Sequence, residues 1–489
     1  MREIEERTYR ELSITPLTLM ETAGREVAIC VAKLRPRVIT VVCGRGNNGG
    51  DGVVCARALT AMGIATQVIL IFDEAQNNAL LTQQILWART CGVKFVRSND
   101  LAAEVARADV VVDAILGSGA RQPLPAVIAE AVETINTYAR TVVAVDVPSG
   151  VAEKPGLIVH ANKTVCFAAM KSEMTQLPAR AACGEIHVVD IGIPSSFYAE
   201  TDGIAIDKHF AALHLNHQRT LPGIRNVHKG TFGHVVIWGG GAGKSGALCL
   251  STISALRTGA GLVTAAAFQH QALAGLPADI MTTTAMDYEA LKSSLTRATA
   301  VAFGPGLGTD ENAARMLDQT LQILKTPAVI DADALNLLAK DPRPWKEKLG
   351  PGPRILTPHP LEFVRLFGDN VETVQNARIE QALQAARTSS TTVVLKGANT
   401  VIASSDESWG VCQSGNAELA KGGTGDVLCG IIGAFLARGL SPFVAASLGT
   451  YIQGEAGALA AMQIGEASVM ASDVARLIPH VLRRFERRE

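Results

Sequence analysis

Near residue 420 the chain reads Lys421-Gly422-Gly423-Thr424-Gly425-Asp426 and passes into a segment of helical period whose apolar face takes in Val427, Ile431 and Phe435. Glycines at a helix start leave backbone N–H groups free to surround an anion. A carboxylate beside such a hole is a poor phosphate ligand. It can instead take the proton of an alcohol, whose oxygen then attacks a phosphorus held by the amides. Asp426 is therefore a candidate general base, and the plain alternative is a helix cap made by GGTGD.

A second constellation lies towards the amino terminus, where the run 38–43 meets Gly44-Arg45-Gly46-Asn47-Asn48-Gly49-Gly50-Asp51-Gly52 and a helix follows at once. A phosphate-bearing ligand suits glycines between strand and helix. The loop satisfies GxGxxG, and Asp73 lies beyond the next strand, where a dinucleotide fold would place a ribose-binding acid. Against a plain redox cofactor stand the amide pair Asn47 and Asn48 and the anion Asp51, which would compete with a pyrophosphate at the helix start. A tight turn capped by Asn and Asp is the alternative. Two more strand ends add Asp113 with Gly117-Ser118-Gly119, and Asp146 with Ser149. Asp146 follows VVAV, an apolar wall whose partial burial would raise its pKa and suit it to acid/base exchange. A capping Asp in a Pro-Ser-Gly turn is the other reading. Asn48, Asp113 and Ser149 offer hard oxygen ligands for a monovalent cation.

The elements that must position these groups alternate strictly. Strands are predicted at 37–44, 65–72, 93–96, 109–116 and 141–150, with helical stretches such as 51–63 and 124–135 between them and β-rich runs at 163–169 and 185–194 closing the block. Such alternation implies a parallel sheet with helices on both faces and ligands beyond the strands' carboxyl ends, where the loops converge. From about 203 to 232 the pattern turns polar and loses its period. The predicted division is 1–215 and 216–489, the second part restarting with strands at 233–240, 300–308, 327–336 and 391–400. It ends in helices, the last near Arg488. The loop Gly239-Gly240-Gly241-Ala242-Gly243-Lys244-Ser245 looks like a Walker A sequence, but its spacing needs a glycine where Trp238 stands.

Over 489 residues, 48% hydrophobic and 19% charged, disorder is excluded and two cores are expected. Lys and Arg total 45 against 46 acids, so no overall field draws the chain to nucleic acid or an anionic membrane. The nine cysteines are scattered without a CxxC pair, against a disulfide framework or structural zinc. The charged first residues lack a signal-peptide core, no membrane-length apolar run follows, and a cytoplasmic setting is expected.

GRGNNGGDG, DAILGSG, VDVPSG and VVDIGIP, in this order, resemble the amino-terminal domain of the NAD(P)H-hydrate repair proteins over about residues 10 to 215. The resemblance implies an epimerase acting on the hydrated cofactor at its hydroxyl-bearing ring carbon. Asn47, Asn48, Gly49, Gly50 and Asp51, with Gly117, Ser118, Gly119, Ala120, Arg121, Gln122 and Pro123, would hold the hydrate. Asp146 would exchange the proton, and Asn48, Asp113 and Ser149 would bind potassium. GPGLG, DADALN, TPHP, LKGANT and GGTGD are similar to the family's carboxy-terminal, ribokinase-like dehydratase domain. There a nucleotide, ADP in preference to ATP, phosphorylates the hydrate's hydroxyl, and phosphate then leaves to restore NAD(P)H. By motif, Ala247, Gly306, His359 and Asp426 would contact the hydrate, and Lys396, Gly397, Ala398, Asn399, Thr400 and Gly425 the nucleotide, with magnesium implied. The implied fold is α/β, a Rossmann-like three-layer sandwich followed by a ribokinase-like domain.

The sequence departs from the family pattern at Leu361, where glycine is usual, at GNAELAK (415–421), which lacks a proline, and in YIQGEAG (451–457), where a histidine is common. The expected partners are NADH hydrate and NADPH hydrate, with no nucleic acid and no membrane, and a homo-oligomer is expected. Two other classes stay open: a small-molecule kinase with an accessory nucleotide-binding domain, which keeps its phosphorylated product, and a non-catalytic nucleotide sensor, which would need neither Asp146 nor Asp426. His209, His214 and His217 read as a solvated linker, since no nearby acid or cysteine completes a metal shell.

Overall fold

The computed structural model describes residues 2–485 except 153, 155, 199–202, 220–226 and 416. The chain divides into two compact units, Met1–Thr201 and Asp202–Glu489. The first is built on seven strands: β1 (Val38–Cys43), β2 (Ala65–Leu70), β3 (Lys94–Val96), β4 (Val110–Ala114), β5 (Val142–Val145), β6 (Lys163–Phe167) and β7 (Glu185–Val189). All pair in parallel in the order β3-β2-β1-β4-β5-β6-β7. Successive side chains go to opposite faces. Val41, Val112, Val143 and Val145 accordingly pack with helices Pro16–Ala32 and Asn47–Ala61, whereas Val42, Val111, Val142 and Ala144 pack with helix Ala126–Tyr138. A strand buried on both faces reads as an unbroken apolar run, which is why these strands stand out in the sequence.

The second unit carries ten strands: β8 (Gly203–Ile206), β9 (His234–Trp238), β10 (Leu262–Ala267), β11 (Met281–Thr284), β12 (Ala300–Phe303), β13 (Ala328–Ile330), β14 (Arg354–Leu356), β15 (Thr392–Leu395), β16 (Val401–Ala403) and β17 (Trp409–Cys412). Their order is β11-β10-β9-β12-β13-β14-β15-β16-β17-β8, parallel except where β16 runs against both neighbours. Val235 and Ile237 face one apolar layer, Val236 and Trp238 the other.

The polar stretch from 203 is not the free linker that its composition suggested. Strand β8 pairs with β17, and helix Lys208–Arg219 buries Phe210, Ala211 and Leu215. The division thus falls near 201 rather than 215, because Ile206 at the end of a short edge strand and the apolar side of the following helix join the second unit's core. The end of the chain near Arg488 and Asn416 lie outside the described residues. Among the described residues no helix is long and apolar enough to cross a membrane.

Candidate active sites

In both sheets the strand order changes direction, between β1 and β4 and between β9 and β12, the point beyond whose strand ends an open α/β sheet takes its ligand. The two switch points use the same device. A Cβ on Gly44 would lie 2.1 Å from the Ile115 carbonyl oxygen, and one on Gly239 would lie 2.1 Å from that of Pro305. Only glycine fits at either place.

In the first unit, helix Asn47–Ala61 starts at Gly46 without a side-chain cap, leaving its first amides for a ligand. Asn47 Oδ1 accepts from Asn78 Nδ2 at 2.7 Å. Asn48 is buried with its amide nitrogen unpartnered, and its Oδ1 stands 3.4 Å from where a Cβ of Gly117 would be. Those two loops therefore meet, as expected. Ser118, Gly119 and Arg121 are exposed at the loop's tip, Ala120 is half-buried, and Gln122, next to Pro123, donates to the carbonyls of Gly150 and Leu157 at 2.8 Å each. Asp113 is fully buried and accepts from Ser149 Oγ at 2.6 Å, Ser149 N at 2.8 Å and Ile115 N at 3.3 Å. Burial raises its pKa to about 6 against these bonds.

Asp146 follows β5 with φ 65° and accepts from Phe167 N at 3.3 Å and from the ammonium of Lys171. The apolar wall expected around it is thus only part of its surroundings. Lys171 was not legible, because a lone lysine in AAMKSE looks like a solvated surface residue. Asp51 is 9% exposed; burial first, then the charge of Asp146, push its carboxyl well above the usual range, with Lys171 opposing. Asp73, by contrast, is exposed beside the short 3-10 turn Glu74–Gln76.

In the second unit Gly306, with φ 60°, stands against Lys244 and Ala247: a Cβ there would be 2.6 Å and 3.3 Å from their β carbons. Ala247 and Gly306 thus lie together. Lys244, the lysine of the Walker-like loop, is tied to Asp333 at 2.8 Å. At the end of β13, Asp331 is 1% exposed and accepts from Thr357 Oγ1 at 2.8 Å and Lys396 Nζ at 2.7 Å. Glu362 is 3.8 Å from the same ammonium. Burial alone would lower the Lys396 pKa, but the charges of Asp331 and Glu362 reverse this and hold it raised. His359 caps helix Pro360–Phe367, its Nδ1 accepting from Leu361 N at 3.1 Å and Glu362 N at 3.3 Å, and burial lowers its pKa. Gly397 and Asn399 take positive φ in the turn after β15, Ala398 is exposed, and Thr400 Oγ1 donates to Gly397 O at 3.0 Å.

Helix Thr424–Ala437 begins at Gly423, φ 91°, again with no side-chain cap. A Cβ on Gly425 would stand 3.5 Å from Lys396 Nζ and 3.7 Å from Asp331 Oδ2, so the glycine brings this helix start up to the ion pair. Asp426, half-buried in the first turn, has its pKa raised to about 7 by burial first and then by Asp331 and Asp333, with Lys396 opposing. Lys396 is held between Asp331 and Glu362. The Gln453 amide donates to the Thr424 carbonyl and supports this turn from helix Pro442–Ile464. Neither Gln453 nor the pairing of Asp331 with Lys396 was legible, since each joins residues far apart in sequence.

A family model described as YjeF-related protein N-terminus matches residues 16–173, and one described as NAD(P)H-hydrate dehydratase matches residues 235–480. The bifunctional NAD(P)H-hydrate repair enzyme Nnr of Moorella thermoacetica is 36% identical over 99% of this chain and 96% of its own length. The chain belongs to the bifunctional NAD(P)H-hydrate repair family. The family's Escherichia coli member is 34% identical over 95% of this chain and 89% of its own. Among solved structures, a ribokinase-like superfamily protein from Enterococcus faecalis superposes with a TM-score of 0.50 at 25% identity, over 58% of this chain and 97% of that one. Both family matches and the full-length relatives favour repair over the small-molecule kinase with an accessory nucleotide-binding domain.

Proposed function

We propose that unit Met1–Thr201 carries the epimerase, and unit Asp202–Glu489 the dehydratase, of this bifunctional NAD(P)H-hydrate repair enzyme. The observation that carries the dehydratase reading is the start of helix Thr424–Ala437, where uncapped amides, the Lys396 ammonium and a carboxyl titrating near pH 7 converge on Gly425. Asp426 takes the proton of the hydrate's hydroxyl, and the oxygen bonds to the terminal phosphorus of the nucleotide, which leaves one phosphate shorter. The ring nitrogen's lone pair then expels phosphate, and loss of a ring proton restores the double bond. Hydroxide is a poor leaving group and phosphate a good one, which is why the nucleotide is consumed. Ala247, Gly306 and His359 contact the hydrate; Lys396 to Thr400 and Gly425 contact the nucleotide. ADP is the proposed donor, with ATP the alternative. Among the described residues no three acidic, imidazole or thiol groups are placed to hold a metal ion, and magnesium would enter on the nucleotide's phosphates.

In the first unit the proposed hydrate contacts are Asn47 to Asp51 and Gly117 to Pro123, with Asp146 exchanging the proton. The fully buried Asp113, the Ser149 hydroxyl and Asn48, whose amide turned over would bring its oxygen to the unpartnered position, fit a weakly hydrated monovalent cation. Potassium held there would offset the buried carboxylate's charge. A reducing, cytoplasmic setting fits nine cysteines that all stand unpaired.

The test is one assay: mixed NADH hydrate epimers with ADP or ATP, followed by NADH absorbance and released phosphate. Asp426→Ala is expected to abolish nucleotide-dependent recovery of NADH while hydrate binding persists; unchanged turnover removes Asp426 from the mechanism. Asp146→Ala is expected to leave one epimer repaired at speed and the other stranded, and equal rates for both would show that Asp146 is not the epimerase acid/base.

A further inference from the structure

At the carboxyl ends of two neighbouring strands, β5 and β6, two residues other than glycine adopt left-handed backbone: Asp146 with φ 65° and Ala168 with φ 64°. Each is the middle of a three-residue turn closed by the amide that follows it. Val147 N donates to Val145 O at 2.8 Å, and Ala169 N to Phe167 O at 2.7 Å. Such γ-turns are rare and strained, and they persist only where their surroundings enforce them. Both are also tied back to the sheet, Asp146 N to Val165 O at 2.8 Å and Ala168 N to Val189 O at 2.9 Å.

The second turn delivers Lys171 three residues later. Its side chain is nearly buried, and its ammonium donates to Phe167 O at 3.0 Å, to Cys166 Sγ at 3.5 Å and to the Asp146 carboxylate. Two of these acceptors belong to the end of β6. They fix the ammonium to the sheet, and the remaining donor meets Asp146. A buried ammonium is costly unless paired, and a structural pair would need neither strained turn nor an acid left partly open to solvent. The Asp146 side chain retains 13% exposure against 6% for Lys171.

We propose that Lys171 is the positioning residue of the epimerase reaction, holding Asp146 as an oriented anion at the end of β5. This rests on the reading of Asp146 as the epimerase acid/base. The other titratable groups facing the pair are Asp51 from helix Asn47–Ala61 and Cys166 from β6, while Glu5 and Tyr9 of helix Arg2–Leu12 reach Asp51. Burial pushes the Asp51 carboxyl and the Cys166 thiol up, and the carboxylate to which the Lys171 ammonium donates is that of Asp146.

The experiment measures epimer interconversion of NADH hydrate by the full-length chain without nucleotide, across pH. Lys171→Met is expected to lower kcat about 100-fold, as misplacement of a reacting group does, with KM changed less than about threefold. Its acid limb should move up by about one pH unit, because a carboxylate stripped of its cation holds a proton more tightly. The double variant with Asp146→Asn should be no slower than Asp146→Asn alone. An unmoved acid limb, or losses that multiply in the double variant, overturns the proposal. If Lys171→Met no longer binds hydrate, Lys171→Arg decides: retention of the wild-type acid limb supports the proposal, and a shift as large as that expected for Met overturns it. A fully active Asp146→Asn, or a wild type that does not interconvert epimers, would instead bring down the reading of the unit itself.

Discussion

At Asp426 burial first, and then two neighbouring acids against one ammonium, set the proton affinity of the proposed base. Because the raised pKa of about 7 belongs to a group that must be ionised to act, activity is lost as pH falls through that value. The acid limb of kcat/KM for dehydration is therefore expected near pH 7. Asp331→Asn removes one of the charges that raises it and loosens Lys396, so that limb should move down by about one unit while kcat falls about tenfold. A pH–rate series on the two proteins reads both effects, and an unmoved limb would show that Asp331 does not govern Asp426. At this scale the sequence reveals residues whose neighbours in the chain betray them: glycines around Asp426, or the Pro-Ser-Gly turn after Asp146. It hides Lys171, Glu362 and Thr357, whose meaning comes only from partners brought up by other strands. Gln453 belongs with them. An amide neither gains nor loses a proton near neutrality, so the support beneath the Thr424 turn does not add a titration of its own, as a histidine there would.

At the scale of elements, the legible strands were those buried on both faces, such as VVVDA in β4 and VVIW in β9, whose apolar runs have no other use. Short edge or near-edge strands were lost: β11 is MTTT with three exposed residues, β8 is GIAI, and β17 is interrupted by Gly410. β10 is LVTAAA, whose alanines favour helix as readily as strand. The meeting of loops at the strands' carboxyl ends was foreseeable, because parallel strands put those loops on one edge and the glycines let their backbones approach. Gly239→Ala would drive a methyl group into the Pro305 carbonyl, which is backbone and cannot swing aside. We expect a stability loss of about 2–3 kcal/mol, read by denaturant unfolding, together with impaired dehydration and unchanged epimerisation. Epimerisation lost in parallel would mean that the strain is not local.

For the whole molecule, the proposed division of labour makes the hydrate itself the link between the two chemistries. An equimolar mixture of the Asp146→Ala and Asp426→Ala proteins should then repair both epimers at a rate set by the concentration of each, since the inverted hydrate can leave one chain and enter another. Repair of a single epimer by the mixture would exclude a freely diffusing intermediate. Among the described residues each apolar cluster draws its members from one unit: Ile39 to Leu59 pack with residues up to Phe197, and the layers around Val235 and Val236 with residues from Ile206 onward. Damage is thereby compartmented. Since each unit carries apolar clusters of its own, inherited variation that softens one of them can erode one proposed step while selection still acts on the other, and the two can age at different speeds within one gene product.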